Sequence, residues 1–245
     1  MTEKKIALIT GAIGVLGRTT ARCLLEDDIF VVLADLDANA LDTFSRQLGS
    51  DSYPIAFDVG ESEQVDAAVK KVEQDVGTID ILLNIAGLLS NNKALETNPE
   101  EWRRIMRVNL DGAFYLSRAV LPGMKRKHWG RIVNTSSLAA KSGGVTAGTA
   151  YSVSKGGLIS LTFTLAAETA PFGITVNGIA PAYVRTPMIT EQLTEAQRQD
   201  VLKKIPVGRF CEPEEFAHVV RFLLHPLAGF ITGEIIDQNG GMLFD

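Results

Sequence analysis

The chain has 245 residues, 46% of them hydrophobic and 22% charged, which is enough to bury a sizeable core in one large domain. Its formal net charge of −5 argues against a general nucleic-acid or anionic-membrane surface. Two cysteines, Cys23 and Cys211, and three histidines without metal-ligand spacing predict neither a disulfide framework nor a metal site.

Residues 1–5 lead into a strand-like run with no signal-peptide core, and no apolar stretch is long enough to span a membrane. A cytoplasmic protein without membrane or nucleic-acid partners is expected. Short, continuously apolar runs at 6–9, 29–34, 53–57 and 79–83 alternate with helical patterns ending near Glu26 and at 38–48 and 62–76. Strands apolar on both faces and separated by helices predict right-handed parallel crossovers.

The rhythm continues with a capped helix at about 98–124, opened by Asn98-Pro99-Glu100-Glu101. The basic run Lys125-Arg126-Lys127-His128 ends it, where cations complement the helix dipole. Strands follow at 131–134, 174–177 and 234–237, with helices at 151–170 and 213–224. A polar helical stretch at about 187–206 is expected to form a substrate flap. No linker or repeat interrupts the chain, so residues 1–245 form one α/β domain, doubly wound around a parallel sheet. Ala166, Ala167 and Ala170 give the 151–170 helix a small-residue face, suited either to a second subunit or to the sheet.

Thr10-Gly11-Ala12-Ile13-Gly14-Val15-Leu16-Gly17 sits between the first strand and the first helix. Glycines allow a tight turn and close backbone approach, and the helix N-terminus offers free N–H groups to a pyrophosphate. Asp35 ends the second strand 18 residues after Gly17, the position for a carboxylate that accepts both adenosine ribose hydroxyls. Its charge would repel a 2′-phosphate, so NAD is expected and NADP is the less favoured cofactor. Capping the next helix is the other reading of Asp35, although Asp37 is better placed for it. Asp58 is either an acceptor for the adenine amino group or a turn residue. Asn84-Ile85-Ala86-Gly87 closes the fourth strand with small residues that let the chain pass close to a ribose.

Tyr151-Ser152-Val153-Ser154-Lys155 places a phenol and an ammonium on one helix face. Bringing a tyrosine from about 10 to near neutral takes roughly 4 kcal/mol. A cation about 5 Å away supplies on the order of 3 kcal/mol at an effective dielectric near 20. A second positive charge, such as an oxidised nicotinamide, would supply the rest, and the pair would then transfer protons beside that cofactor.

Together these motifs resemble the short-chain dehydrogenase/reductase family in its single-domain branch. The resemblance runs through the glycine turn (Gly11, Gly14, Leu16, Gly17), Asp35, Asp58-Val59, Asn84-x-Ala86-Gly87, Asn109, Ser136-Ser137, Tyr151-x-x-x-Lys155 and Pro181 to Thr186. It implies a Rossmann-like seven-stranded sheet with helices on both faces and a homo-oligomer, tetramer or dimer. Tyr151 would be the general acid/base, and Lys155 would lower its pKa and hold the nicotinamide ribose. Ser137 would hydrogen-bond the substrate oxygen, with Ser136 as the runner-up, and Asn109 would hold a relay water. Val184 and Thr186 would meet the carboxamide and phosphates.

Three departures stand out: Val15 where the branch has glycine, Ser137 lying 14 residues before Tyr151 rather than 13, and Ala182 after Pro181. The function implied is an NAD(H)-dependent oxidoreductase interconverting a secondary alcohol and a ketone. Ser90, Asn91, Asn92 and Lys93 suggest a sugar or polyol substrate. The alternatives are a 3-oxoacyl-thioester reductase using NADPH, or a non-catalytic NAD-binding regulatory protein.

Overall fold

The computed structural model describes residues 4–144, 146–186 and 194–244. Seven parallel strands stand in the order β3-β2-β1-β4-β5-β6-β7. They are β1 (Ile6–Thr10), β2 (Phe30–Asp35), β3 (Ser52–Ala56), β4 (Ile81–Asn84), β5 (Gly130–Thr135), β6 (Ile174–Pro181) and β7 (Ile235–Gln238). The expected doubly wound fold is therefore present.

Alternation within the strands explains the two helical layers. In β1, Ile6 and Leu8 enter one core while Ala7 and Ile9 enter the other; in β4, Leu82 faces the first core and Ile81 and Leu83 the second. A strand that fills two cores has no room for polar residues, hence the unbroken apolar runs. Helices α3 (Ser62–Asp75), α5 (Gly112–Lys127) and α7 (Thr149–Thr169) cover the first face through Val65, Val69, Leu116, Val120 and Leu165. Helices α1 (Val15–Glu26) and α2 (Ala38–Leu48) cover the second, with Leu24 and Phe44 fully buried. The last helix, Pro213–Leu224, adds Phe216, Val220 and Leu223 to that layer.

One expectation needs correcting. The helix expected over 98–124 is two helices, α4 (Pro99–Met106) and α5, joined by a π-helical turn at Arg107–Asp111. The wide turn keeps the axis running but shifts the side-chain register. A further short helix, α6 (Leu138–Ser142), follows β5 in a stretch where the sequence suggested no element. Of the expected flap, 187–193 lies outside the described residues, and α8 (Glu195–Leu202) forms its second half; Pro213–Leu224 is then α9.

Strand order reverses between β1 and β4, which opens a crevice at their carboxyl ends. The glycine turn follows β1 and the Asn84–Gly87 segment follows β4, so both reach that crevice.

Candidate active site

The glycine turn is held by its own backbone. Gly11 adopts φ +65°, and a Cβ there would lie 2.9 Å from Ala86 Cα. A Cβ on Gly17 would lie 2.3 Å from the Gly11 carbonyl oxygen and 2.7 Å from Ala12 Cα. Gly14 is the N-cap of α1, at φ −67° and ψ 163°, and a Cβ there would meet the Gly11 oxygen at 3.3 Å. The turn thus needs glycine at 11 and 17 on steric grounds, and Val15 is accommodated as the first residue of α1.

No side chain caps α1 and no carboxylate sits in its first turn, so the amides around Leu16 and Gly17 suit an anionic ligand. Thr10, at the end of β1, ties the two halves of the crevice together: its hydroxyl accepts from Ile85 N and Ala86 N, both at 3.1 Å.

Asp35 lies at the rim. Its carboxylate accepts from Ile13 N at 3.2 Å and Leu36 N at 2.8 Å, while Asp37 caps α2 by accepting from Ala40 N. Capping is therefore left to Asp37. Asp58 accepts from Gly60 N at 2.8 Å and pairs with Arg107 at 3.0 Å, so its role in the turn is visible. Val59 is buried against Gly112, close enough that a Cβ at 112 would lie 3.0 Å from it. Asn84 donates to Asn134 at 2.8 Å, and its buried Oδ1 has no protein donor.

The backbone at Gly87 passes close to the ammonium of Lys155, which a Cβ there would approach to 3.3 Å. Pro181 ends β6 opposite Gln238. Val184 forms a parallel bridge with Cys211 in which Tyr183 O and Arg185 N make the bonds. Val184's own N–H and C=O therefore face the other edge. Thr186 sits in a bend just before the undescribed 187–193 stretch.

The Tyr151 and Lys155 side chains share one face of α7, as their spacing predicts, with the Lys155 ammonium 5.8 Å from the centre of the Tyr151 ring. Lys155 Nζ donates to the Thr135 carbonyl at 2.7 Å, and burial lowers its pKa to about 8. The Tyr151 phenol does not show the expected downward shift in the protein alone. Burial pushes it up, and a hydrogen bond with Ser137 opposes that. Desolvation is the larger cause, and the Lys155 ammonium is bonded to the Thr135 carbonyl of β5.

The two serines have separate tasks. Ser136 donates to the Lys155 carbonyl at 2.9 Å and so braces α7. Ser137 caps α6 by accepting from Ala139 N at 3.2 Å and holds back the rise in the Tyr151 pKa. Between Ser137 and Tyr151 the chain forms α6 and turns at Gly143 and Gly144, at φ +75° and +70°.

Asn109 lies in the π-helical turn and is buried. It accepts from Leu88 N at 2.7 Å and donates to Leu88 O at 2.9 Å and to Ser154 Oγ at 3.0 Å. Ser154 in turn donates to Tyr151 O. Thr135, Ser154 and Thr10 also hold these residues in place, and the sequence reading gave none of them a role. Thr135 and Ser154 contribute through a backbone carbonyl and a local hydroxyl that carry no motif, and Thr10 was quoted only as part of the glycine turn.

The polar residues expected to greet a sugar are largely engaged with the protein. Ser90 and Asn92 both donate to Glu101. Lys93 donates to the carbonyls of Gly144 at 2.8 Å and Ala147 at 2.7 Å. They brace the loop ahead of α7.

Among the described residues no group of three potential metal ligands occurs, and no helix is long and apolar enough to cross a membrane. A family model described as enoyl-(acyl carrier protein) reductase matches residues 11–243. The 3-oxoacyl-(acyl-carrier-protein) reductase FabG of Vibrio cholerae is 39% identical over 241 residues, covering 98% of each chain. That of Escherichia coli is 36% identical over 241 residues, again 98% of each. Among solved structures, a Brucella melitensis protein described as a short-chain dehydrogenase/reductase, glucose/ribitol dehydrogenase, has a TM-score of 0.92 at 34% identity, covering 99% of this chain and 98% of that one. Likeness of this extent makes the chain a member of the short-chain dehydrogenase/reductase family, an oxidoreductase of carbonyl and alcohol carbons that uses a nicotinamide cofactor.

Proposed function

We propose that the protein reduces the 3-oxo group of an acyl thioester, with NADH as the preferred cofactor. The observation that carries the substrate class is the end-to-end match, at 36–39% identity, to reductases named for 3-oxoacyl carrier-protein substrates. The sugar or polyol reading has less support, because Ser90, Asn92 and Lys93 are bonded to Glu101 and to the loop before α7. Asp35 supports NADH: a carboxylate at the end of β2 accepts ribose hydroxyls and repels a 2′-phosphate.

The residues present fit the cofactor. Gly11, Gly14, Leu16 and Gly17 would receive the pyrophosphate, Asp35 the adenosine ribose, and Asp58 and Val59 the adenine. Asn84, Ala86 and Gly87 would flank the nicotinamide ribose, with Lys155 bonding to it, and Pro181, Val184 and Thr186 the carboxamide end. The bound cofactor supplies the hydride.

Tyr151 gives its proton to the carbonyl oxygen as negative charge develops there. A phenol pushed up by burial is well suited to stay protonated until that moment. The Ser137 hydroxyl donates to the same oxygen and steadies the charge. Lys155 keeps a positive field behind the phenol, and Asn109 holds the Leu88 backbone beside it, where a relay water would return the proton. A homo-oligomeric, cytoplasmic enzyme goes with this reading.

The test is reduction of an acetoacetyl thioester with NADH, followed at 340 nm as loss of absorbance, alongside NADPH, ribitol and glucose. Turnover of the thioester that drops by about three orders of magnitude in Tyr151→Phe is expected, the scale of a lost general acid. Tyr151→Phe turning over at wild-type rate, or activity on polyols alone, would overturn it.

A further inference from the structure

The π-helical turn Arg107–Asp111 serves two neighbours at once. Asn109 grips the Leu88 backbone and reaches Ser154 of α7. Arg107 and Gly112, the first residue of α5, meet the Asp58–Gly60 turn that follows β3. Gly60 makes room for the arginine: a Cβ there would stand 2.7 Å from Arg107 Cγ and 2.9 Å from its Nη1. Gly112 makes room for Val59, where a Cβ would stand 3.0 Å from both Val59 Cγ2 and the Val59 carbonyl oxygen. Wide turns of this kind are rare inside helices and recur at functional sites.

The Asp58 carboxylate is held at both oxygens. Oδ1 accepts from Gly60 N at 2.8 Å, and Oδ2 lies 3.0 Å from Arg107 Nη1. The pair is part-buried, with side chains 22% and 36% exposed. Arg107 also donates to Glu61, which anchors the guanidinium a second time. A carboxylate offers about four acceptor sites, so each oxygen keeps room for a further donor.

We propose that Arg107 is a positioning residue for the cofactor: it fixes the Asp58 carboxylate so that an oxygen stays turned to the amino group of adenine. The inference rests on the reading of Asp58 as the adenine acceptor. A single bond from Gly60 N would leave the carboxylate free to swing about it, and the contact on the second oxygen removes that freedom. The ordering is then complete before the cofactor arrives, which strengthens binding. Because Asn109 stands in the same turn, one element registers the adenine end and the nicotinamide end together.

The experiment compares NADH with reduced nicotinamide hypoxanthine dinucleotide. The two have the same charge, but the second carries a carbonyl oxygen in place of the adenine amino group, an acceptor where Asp58 needs a donor. Dissociation constants of both are measured by nicotinamide fluorescence on the full chain, with the unfolding midpoint alongside. Wild type is expected to bind NADH about 10-fold more tightly than the analogue, the scale of one charge-assisted hydrogen bond. Arg107→Met keeps an apolar stem over Gly60 and removes the guanidinium, and is expected to shrink that preference to about 3-fold or less. Arg107→Lys is expected to restore most of it by returning a cation to Asp58. Loss of positive charge by itself weakens both dinucleotides alike, so the ratio moves only with the aim of the carboxylate.

A wild-type protein that binds both dinucleotides equally would remove the Asp58 reading, and the proposal with it. A wild-type preference that persists at full size in Arg107→Met but is lost in Asp58→Ala would overturn the positioning role alone. Where Arg107→Met does not fold, Arg107→Gln drops the charge at similar length, and the same ratio decides: a reduced preference supports the proposal and an unchanged one overturns it.

Discussion

Lys155 Nζ lies 2.7 Å from the Thr135 carbonyl oxygen and 5.8 Å from the centre of the Tyr151 ring. The ammonium thus closes a link from β5 to α7 and is buried in doing so, at 4% exposure. Its proton is held less tightly than in the unfolded chain: about 8 against an ordinary 10.5. Below pH 8 both states carry the proton, and the folded state bears the full cost of a buried charge. Between about 8 and 10.5 the unfolded chain binds more protons, so stability rises with pH across that window.

Lys155→Met removes this dependence. The unfolding free energy of wild type should therefore gain on that of Lys155→Met by roughly 2–3 kcal/mol between pH 7 and pH 10, measured by urea denaturation at each pH. A difference that stays flat over that range would mean the ammonium is better solvated than its surroundings indicate.

Gly14 and Gly17 look alike in the sequence and differ in the structure. A Cβ on Gly17 meets the Gly11 carbonyl and Ala12 Cα, backbone atoms that cannot step aside. Gly17→Ala should cost about 1–3 kcal/mol and greatly weaken NADH binding. Gly14→Ala, with its nearest neighbour at 3.3 Å, should stay close to wild type in both. Thermal melts with and without NADH distinguish them, and equal effects of the two substitutions would contradict the turn described.

Much of this was legible in the chain, and the reasons are physical. Strands buried on both faces must be apolar throughout, so β1, β2 and β4 announce themselves. The glycine turn, Asp35 and the Tyr151–Lys155 spacing are local patterns that need no tertiary information. The π-helical turn at Arg107–Asp111 leaves no mark in composition, because a register shift of one residue changes no residue type. The division of labour between Ser136 and Ser137 depends on where α6 starts, and α6 is too short to show a period. The direction of the Tyr151 shift depends on burial, which is set by tertiary packing and leaves no local pattern.

The proposed preference for NADH rests on Asp35. Its carboxylate is fixed by the amides of Ile13 and Leu36, so its charge faces a defined place at the end of β2. Asp35→Ser should weaken NADH binding about 10-fold, the scale of one charge-assisted hydrogen bond, and improve NADPH binding by removing the repulsion. Fluorescence titration of both cofactors measures this directly. Tighter binding of NADPH than NADH by the unaltered protein would reverse the assignment.

Helix α7 carries Tyr151 and Lys155 on one side and uncovered apolar residues on another. Phe163 is 50% exposed and Val153 44%, with Phe114 of α5 at 44%. The small-residue face is divided: Ala166 is buried in the core, while Ala167 and Ala170 are exposed. Large apolar side chains on the helices behind an active site suit a second copy of the chain, in line with a homo-oligomer. Light scattering should therefore give a mass that is a multiple of 26.5 kDa. Phe163→Glu should lower that mass, because a carboxylate buried between subunits lacks a partner. It should also reduce kcat with the loss of assembly, since α7 then loses support one face away from Tyr151. A wild-type protein that runs as a single chain at micromolar concentration would end this reading without touching the chemistry assigned to Tyr151 and Lys155.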